Sequence, residues 1–290
     1  MRDFEYLAPA SVDEAVAVLE RYQGRAKPLA GGTDLIDQIR LGRHQPDIVV
    51  DLKKIPELVA IVEDASGLQI GAAAPCHKVY KHAGIAVRYP ALVDSTHIIG
   101  GIQIQSRASM GGNLCNSGPA ADSTPSLIAL GCVCVIAGPK GRREVPVEQF
   151  CTGPGKNVLG TGEVLVALKF PAPGPKSSSA YDRFIPRNEM DIAVVGVGAA
   201  VTLDPTGEKI VAAKIGLGAV AATPLVATEA AKLLIGQPPT GETLDKAAAA
   251  ARAIAKPIDD MRGTVEFRTH VTGVLVKRVL QTAIQRAKLA

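Results

Sequence analysis

The sequence predicts an α+β chain of about two domains, and three observations carry that expectation. Apolar strands and helical periodicity alternate through the first 55 or so residues, as in a βαβ-like unit. A Pro- and Ser-rich break, Pro171-Ala172-Pro173-Gly174-Pro175-Lys176-Ser177-Ser178-Ser179, interrupts the pattern late in the chain. Beyond it, two strands are followed by three helices. The 290 residues suit about two domains of roughly 100–200 residues each. The expected boundaries are 1–175, with subdomains of about 1–55 and 56–175, and 176–290.

The elements follow in order. Ser11 and Glu14 have capping-box spacing, and Val12, Ala15, Val16 and Leu19 recur at helical intervals. Lys27–Ala30 reads as a strand that runs into Gly31-Gly32-Thr33-Asp34. A helix over Leu35–Leu41 follows, with Asp34 and Asp37 in the first turn, where the helix dipole favours negative charge. Asp47–Leu52 and Gly67–Ala72 read as strands, and Arg88–Val93 as helix or loop. Gly100–Gly118 reads as a loop rich in Gly, Ser and Asn. Asp122 or Ser123 is placed to cap the next helix, with Pro125 in its first turn. Cys132–Ile136, Gly138–Gly141 and Glu144–Val147 read as strand, turn and strand, and Val164–Phe170 as an apolar strand. In the last third, strands Ile192–Leu203 and Ile210–Leu217 flank the turn Asp204-Pro205-Thr206-Gly207. Helices are expected at about Leu225–Ile235, Leu244–Ala255 and Phe267–Ala287. The last carries Val271, Val274, Leu275 and Val279 on one face, with Lys277, Arg278 and Gln281 outside.

Composition narrows the function. Net charge is +4, without a block of like charge, and aromatic residues are 3% with no Trp. The basic residues therefore read as solvated faces, and no nucleic-acid partner is expected. No stretch of about 18 apolar residues is present, so no membrane span is expected. The start Met1-Arg2-Asp3-Phe4-Glu5 lacks the apolar core of a leader peptide. Five cysteines form no CxxC pair and no metal-ligand spacing, which fits free thiols in a cytoplasmic protein.

Two loops carry the chemistry. Ala30-Gly31-Gly32-Thr33-Asp34-Leu35 lies between a strand and a helix start, where glycines let backbone approach a ligand and free N–H groups favour phosphate. Ser109-Met110-Gly111-Gly112-Asn113-Leu114 repeats the logic and adds an amide that can donate to phosphate oxygen. Neither is a G-x-G-x-x-G or Walker loop. Either alone could be just a turn. Together they suit the two sides of a pyrophosphate in a dinucleotide lying between two subdomains.

These residues also carry a resemblance. Ala30–Leu35 resembles the AGGTDL signature of the FAD subunits of molybdenum hydroxylases. Ile104-Gln105-Ser106-Arg107-Ala108-Ser109-Met110-Gly111-Gly112-Asn113-Leu114 is similar to the family's IRNxATIGGNL segment, and Pro119-Ala120-Ala121-Asp122-Ser123 to the PAAD stretch after it. Tyr181-Asp182-Arg183-Phe184 with Asp191–Val195 resembles YxKF…DxAxV. Phe267-Arg268-Thr269-His270-Val271, running on to Val274-Leu275-Val276, resembles YRRHL…VLV. The five motifs come in family order over nearly the whole chain. Departures are Gln103 and Gln105-Ser106 in the Ile-Arg-Asn pattern, Met110 for Ile or Leu, and Ser109 for Thr.

The resemblance implies a vanillyl-alcohol-oxidase-type FAD-binding region of two subdomains, plus a smaller α+β C-terminal domain. It implies that Leu29, Ala30, Gly31, Gly32, Thr33, Asp34 and Leu35, with Ser109, Gly111, Gly112 and Asn113, line the FAD along its pyrophosphate. Asp122 would face the ribose–adenine half. Leu165 and Arg183 would sit near the flavin, Arg183 where relatives often have Lys, as a cation facing charge on the reduced ring. With no His in the first loop, non-covalent FAD is expected. The implied function is that of an oxidoreductase's electron-transfer subunit. Electrons would pass from [2Fe–2S] clusters in a small partner, fed by a large molybdopterin partner, through FAD to an external acceptor. The assembly would be a dimer of heterotrimers. A free-standing FAD-dependent oxidoreductase of this fold is the alternative, and a binding module that has lost FAD is a further one.

The remaining reactive side chains read as structural. Cys76, His77 and His82 lack a fourth ligand and are expected at a loop surface. Cys132 and Cys134 alternate along a strand, which puts both on one buried face as small hydrophobes. His270 reads as packing or interface. No catalytic triad and no metal site are expected within this chain.

Overall fold

The structure, a computed structural model, describes residues 2–290; Met1, the first residue of the polar start, lies outside them. The first unit is a parallel sheet of β1 (Glu5–Leu7), β2 (Ala26–Leu29) and β3 (Ile48–Asp51), in the order β1-β3-β2. Helices Val12–Tyr22 and Leu35–Arg40 make the connections. The expected βαβ unit is therefore present with one further strand, β1, too short to show as a pattern. The Ser11 hydroxyl accepts the Glu14 N–H at 3.2 Å. The Glu14 carboxylate reaches Ala10 N–H at 2.8 Å, one residue before the partner that a reciprocal capping box would use.

The second sheet is antiparallel. It contains β4 (Ile61–Asp64), β5 (Gly67–Gly71), β6 (Val133–Gly138) and β7 (Gly141–Pro146). A small hairpin, β8 (Cys151–Gly153) and β9 (Lys156–Asn157), leads into the central strand β10 (Val164–Pro171). The order is β4-β5-β10-β6-β7. β10 is buried and apolar from Val164 to Leu168 because both its faces are covered there; Lys169, further on, is exposed. Leu165, Leu168 and Phe170 join Cys132, Cys134 and Ile136 against a helical layer, while Val164, Val166 and Ala167 pack with Ala15 and Leu19 of the first unit. A bulge between Leu165 and Ala167 shifts the register against β6. Cys132 and Cys134 share one buried face, as their alternation predicts.

Between β5 and β6 the chain is mostly helical. Gly100–Gly118 is not the open loop expected from its composition, because helices Ile102–Gln105 and Met110–Asn116 occupy most of it. Each glycine in a helix interior costs about 1 kcal/mol relative to Ala. The Ser109 hydroxyl caps the helix at Gly112 N–H, and Met110 and Leu114, one turn apart, are fully buried in the core. Capping and burial outweigh the glycine pair. Helix Ser123–Ala129 begins without a side-chain cap, so Asp122 does not have the expected capping role; its carboxylate is engaged elsewhere. Cys76, His77 and His82, expected at a loop surface, lie otherwise: Cys76 is fully buried and with His77 opens helix Cys76–Tyr80, and the His82 ring accepts the Ile85 N–H at the start of helix Ala83–Arg88.

The last unit is an antiparallel sheet of β11 (Ser177–Phe184), β12 (Val195–Leu203), β13 (Ile210–Gly218) and β14 (Leu225–Val226). The Ser-rich end of the expected break is thus part of a strand. The turn between β12 and β13 forms with Gly207 at φ 77° and its N–H on Asp204 O. The helix expected over Leu225–Ile235 is shorter, Thr228–Lys232, because its first residues pair with β13 as β14. Helices Gly241–Ile254 and Val265–Leu289 cover the sheet. The buried face of the last helix is wider than expected and includes Thr272, Val276 and Leu280, because the helix lies between the sheet and Gly241–Ile254. Among the described residues no helix is long and apolar enough to cross a membrane.

Candidate functional site

A cavity of about 540 Å³ opens where the parallel unit meets the second sheet and its helical layer. That volume is within the usual range of about 300–1,000 Å³ for ligand pockets. Ala30, Gly31, Gly32, Thr33, Asp34 and Leu35 form one wall, and Ser109, Gly111, Gly112 and Asn113 another. Leu165, at the start of β10, is part of the lining, as are Ala72 and Ala73. The two glycine loops, 80 or so residues apart in sequence, are in contact. A Cβ on Gly31 would stand 2.1 Å from Arg107 O, and one on Gly112 would stand 3.8 Å from Ala30 Cβ. Gly111 is pressed against Ala72 in the same way, its Cβ position 2.3 Å from the Ala72 carbonyl. Gly32 adopts φ +79°, a left-handed turn that L side chains rarely take.

The backbone donors of the first loop are left over. Among the described residues, the N–H groups of Gly31, Gly32, Thr33 and Asp34 find no acceptor, and Gly111 N–H adds a fifth. Gly31, Gly32 and Thr33 are half-buried and Asp34 is exposed, and the run leads into the start of helix Leu35–Arg40, where N–H groups lack intrahelical partners; four such donors on one cavity wall suit a ligand rich in acceptor oxygens. Asn113 is fixed through its oxygen, which accepts the Ser123 hydroxyl at 2.7 Å, and its amide N–H₂ has no protein partner among the described residues. A hydrogen bond from Gln38 Nε2 to Asn116 Oδ1, 2.9 Å, ties two residues of the lining across from the first wall to the second.

Charge is mixed around the rim. Lys27, Arg43 and His44 lie on one side. Burial, then the charge of Lys27, push the His44 pKa down, favouring a neutral ring. Desolvation at the rim, then Asp37, push the Asp34 carboxyl up. Glu163 also lines the cavity, but two Arg143 nitrogens at 2.7 and 2.6 Å hold it, and these bonds keep its carboxyl below the usual range. Gly155 and Asn157 of the β8–β9 hairpin, and Leu159 just after it, are also in the lining. Sequence reasoning missed them; Gly155 in a turn between two very short strands was the one available signal.

Three expected residues are placed differently. Leu29 is half-buried at the end of β2 and not part of the lining, although its side chain crowds the Cβ position of Gly32 at 2.8 Å. Asp122 and Arg183 are also outside the lining and face each other: Arg183 Nη1 donates to Asp122 Oδ2 at 2.7 Å, with both side chains largely buried. Arg183 also donates to the carbonyls of Ile98 and Asp191, and Tyr181 donates to Asp122 at 3.0 Å. Burial pushes the Asp122 carboxyl up, and Arg183 and Tyr181 pull it back. Roles at opposite ends of one extended dinucleotide do not fit a pair in direct contact. Arg183 Nε, buried and without a partner, is the group of this pair left free for a further acceptor. Among the described residues no group of His, Cys, Asp or Glu could hold a metal ion.

Comparisons with known proteins match this architecture end to end. Residues 2–173 fit the family model described as "FAD binding domain in molybdopterin dehydrogenase", and residues 180–283 the "CO dehydrogenase flavoprotein C-terminal domain". The carbon monoxide dehydrogenase medium chain of Afipia carboxidovorans is 36% identical, over 98% of both chains. The xanthine dehydrogenase FAD-binding subunit of Escherichia coli O157:H7 is 32% identical, over 99% of this chain and 98% of that one. A chain of the reconstituted CO dehydrogenase from Oligotropha carboxidovorans superposes with a TM-score of 0.93 at 34% identity, covering 98% of this chain and 99% of the other.

Proposed function

The chain belongs to the family of FAD-binding medium subunits of molybdopterin dehydrogenases, and from that premise we propose that its 540 Å³ cavity holds FAD and that it carries electrons for partner subunits. The observation that supports this most is the row of unpaired N–H groups, Gly31 to Asp34, on one wall of that cavity. A diphosphate presents the oxygens such a row needs. Gly31 and Gly111 admit no side chain, so the backbone itself is the binding surface. Asn113 supplies the amide donor opposite. Leu165, Ala72 and Ala73 give an apolar floor for a ring. FAD, when bound, supplies the redox chemistry, and the residues here bind and orient it.

The finer reading is that electrons come from [2Fe–2S] clusters in a small partner, upstream of which a large partner holds molybdopterin. They leave to an external acceptor, and the assembly is a dimer of heterotrimers. We place the domain division at about residue 175 and the chain in a reducing compartment, consistent with five free cysteines. Absorption spectra of the purified chain with FAD, then with dithionite, then with organic substrates, test the proposal. Flavin bands that bleach with dithionite but with no substrate alone are expected. Turnover of a substrate without partners would overturn it in favour of a free-standing oxidoreductase.

A further inference from the structure

Outside the cavity lining, a small charged network is attached to the back of the first glycine loop. Lys53 Nζ donates to the carbonyl of Ala30 at 2.7 Å and to Asp51 Oδ1 at 2.6 Å. Asp51 is buried at the end of β3, accepts Lys53 N–H at 3.0 Å as well, and takes the Tyr6 hydroxyl on its other oxygen. Burial alone would push the Asp51 carboxyl up, but the hydrogen bonds from Lys53 and Tyr6 outweigh it and hold it below its usual value. Lys53 is thus an ammonium fixed at two points, one of them a peptide oxygen of the cavity wall.

The geometry of the peptide unit transmits that fixation. The Ala30–Gly31 peptide is trans, so the Ala30 C=O and the Gly31 N–H lie in one plane and point in opposite directions. With the oxygen held by Lys53, the Gly31 N–H is turned to the other side of the loop. That N–H has no protein acceptor, and Gly31 lines the cavity. A cation on the carbonyl also polarises the peptide and strengthens the N–H as a donor to an anion. Gly31 cannot slide to compensate, because it is packed against the Arg107 carbonyl.

We propose that Lys53, held by Asp51, is a positioning residue for the cofactor: it orients and polarises the Ala30–Gly31 peptide so that Gly31 N–H meets the diphosphate. The inference rests on the reading of the cavity as the FAD site. It places a determinant of cofactor affinity in the Asp51–Lys53 turn, behind the wall and without contact to the ligand.

The test uses the full apo chain, titrated with FAD by flavin fluorescence quenching, with ADP by competition, and with riboflavin, which has no phosphate. Loss of one charge-assisted hydrogen bond in Lys53→Met should weaken FAD and ADP about tenfold each and leave riboflavin within about twofold of the wild type. Lys53→Arg, which keeps a cationic donor, should recover most of the loss. FAD affinity within about twofold of the wild type in Lys53→Met would overturn the proposal, as would an equal loss for all three ligands, the mark of a merely structural role. If Lys53→Met does not fold because Asp51 is left without a counter-charge, Asp51→Asn/Lys53→Met removes both charges and is read by the same criteria. A wild-type chain that takes up no FAD would overturn the cavity reading and this inference with it. A wild-type chain that binds FAD beside an unaffected variant would overturn the inference alone.

Discussion

Gly198 and Gly216 meet a neighbouring backbone as closely as Gly31 and Gly111 do, yet the two junctions have opposite polar chemistry. Gly198 and Gly216 face each other across β12 and β13, and a Cβ on either would stand 2.4 or 2.6 Å from the Pro125 carbonyl. They let helix Ser123–Ala129 lie directly on the last sheet. There every backbone group of the glycine pair belongs to the β12–β13 ladder, so close approach gains packing and leaves no donor over. At the cavity, Gly31 packs on Arg107 and Gly111 on Ala72, but the N–H groups beside them are unpaired. A glycine at a close contact is therefore not evidence of a ligand. A glycine at a close contact with donors left unsatisfied is.

The comparison can be broken by adding a side chain at each junction. Gly198→Val should have the largest effect, on folding: overpacking against a backbone carbonyl should cost about 3 kcal/mol in urea unfolding. The folded fraction should still bind FAD with unchanged affinity. A variant that unfolds like the wild type but loses FAD would reverse the assignment of the two junctions. Gly31→Ala should do the opposite. Its Cβ falls 2.1 Å from Arg107 O, so the loop must move, and FAD affinity should drop at least about tenfold, or about 1.4 kcal/mol. The apo chain should lose less, about 1 kcal/mol, because the N–H groups the shift would displace have no partner in the protein among the described residues. Comparable losses in both measurements would erase the distinction.

A smaller effect sharpens it. Glu163 lines the cavity but is paired, so it should contribute stability and little affinity. Its folded pKa is depressed by Arg143, so its contribution is present above the unfolded value of about 4.3 and lost as pH falls through the lower folded value. Urea midpoints should therefore fall more steeply for the wild type than for Glu163→Gln on acidification below about pH 5. The difference should stay under about 1 kcal/mol, because Arg143 is 40% exposed and screened by solvent. Equal acid sensitivity in both chains would remove Glu163 from the stabilising set.

Local signals made part of this legible. The strand, glycine turn and helix around Gly31 were readable because each depends on neighbours in sequence. The helix Met110–Asn116 was not. Two glycines lower its propensity, and what restores it is the burial of Met110 and Leu114 under β10, a contact made only after folding. The ion pair of Asp122 with Arg183 spans 61 residues, so the expected cap gave way to a partner on another sheet. Asn157 and Gly155 reach the cavity from a hairpin whose second strand has two residues, too few for any periodicity to show.

By itself the sequence determined the α+β class, the two glycine loops as the places where backbone can touch a ligand, and, through five ordered motifs, the family. These rest on residue identity and short-range geometry. The tertiary structure alone decided that the two loops touch, that the first keeps four unpaired N–H groups, and that Lys53 holds the peptide between Ala30 and Gly31. Unpaired donors are defined by the partners they lack, and that lack exists only once every other segment has taken its place.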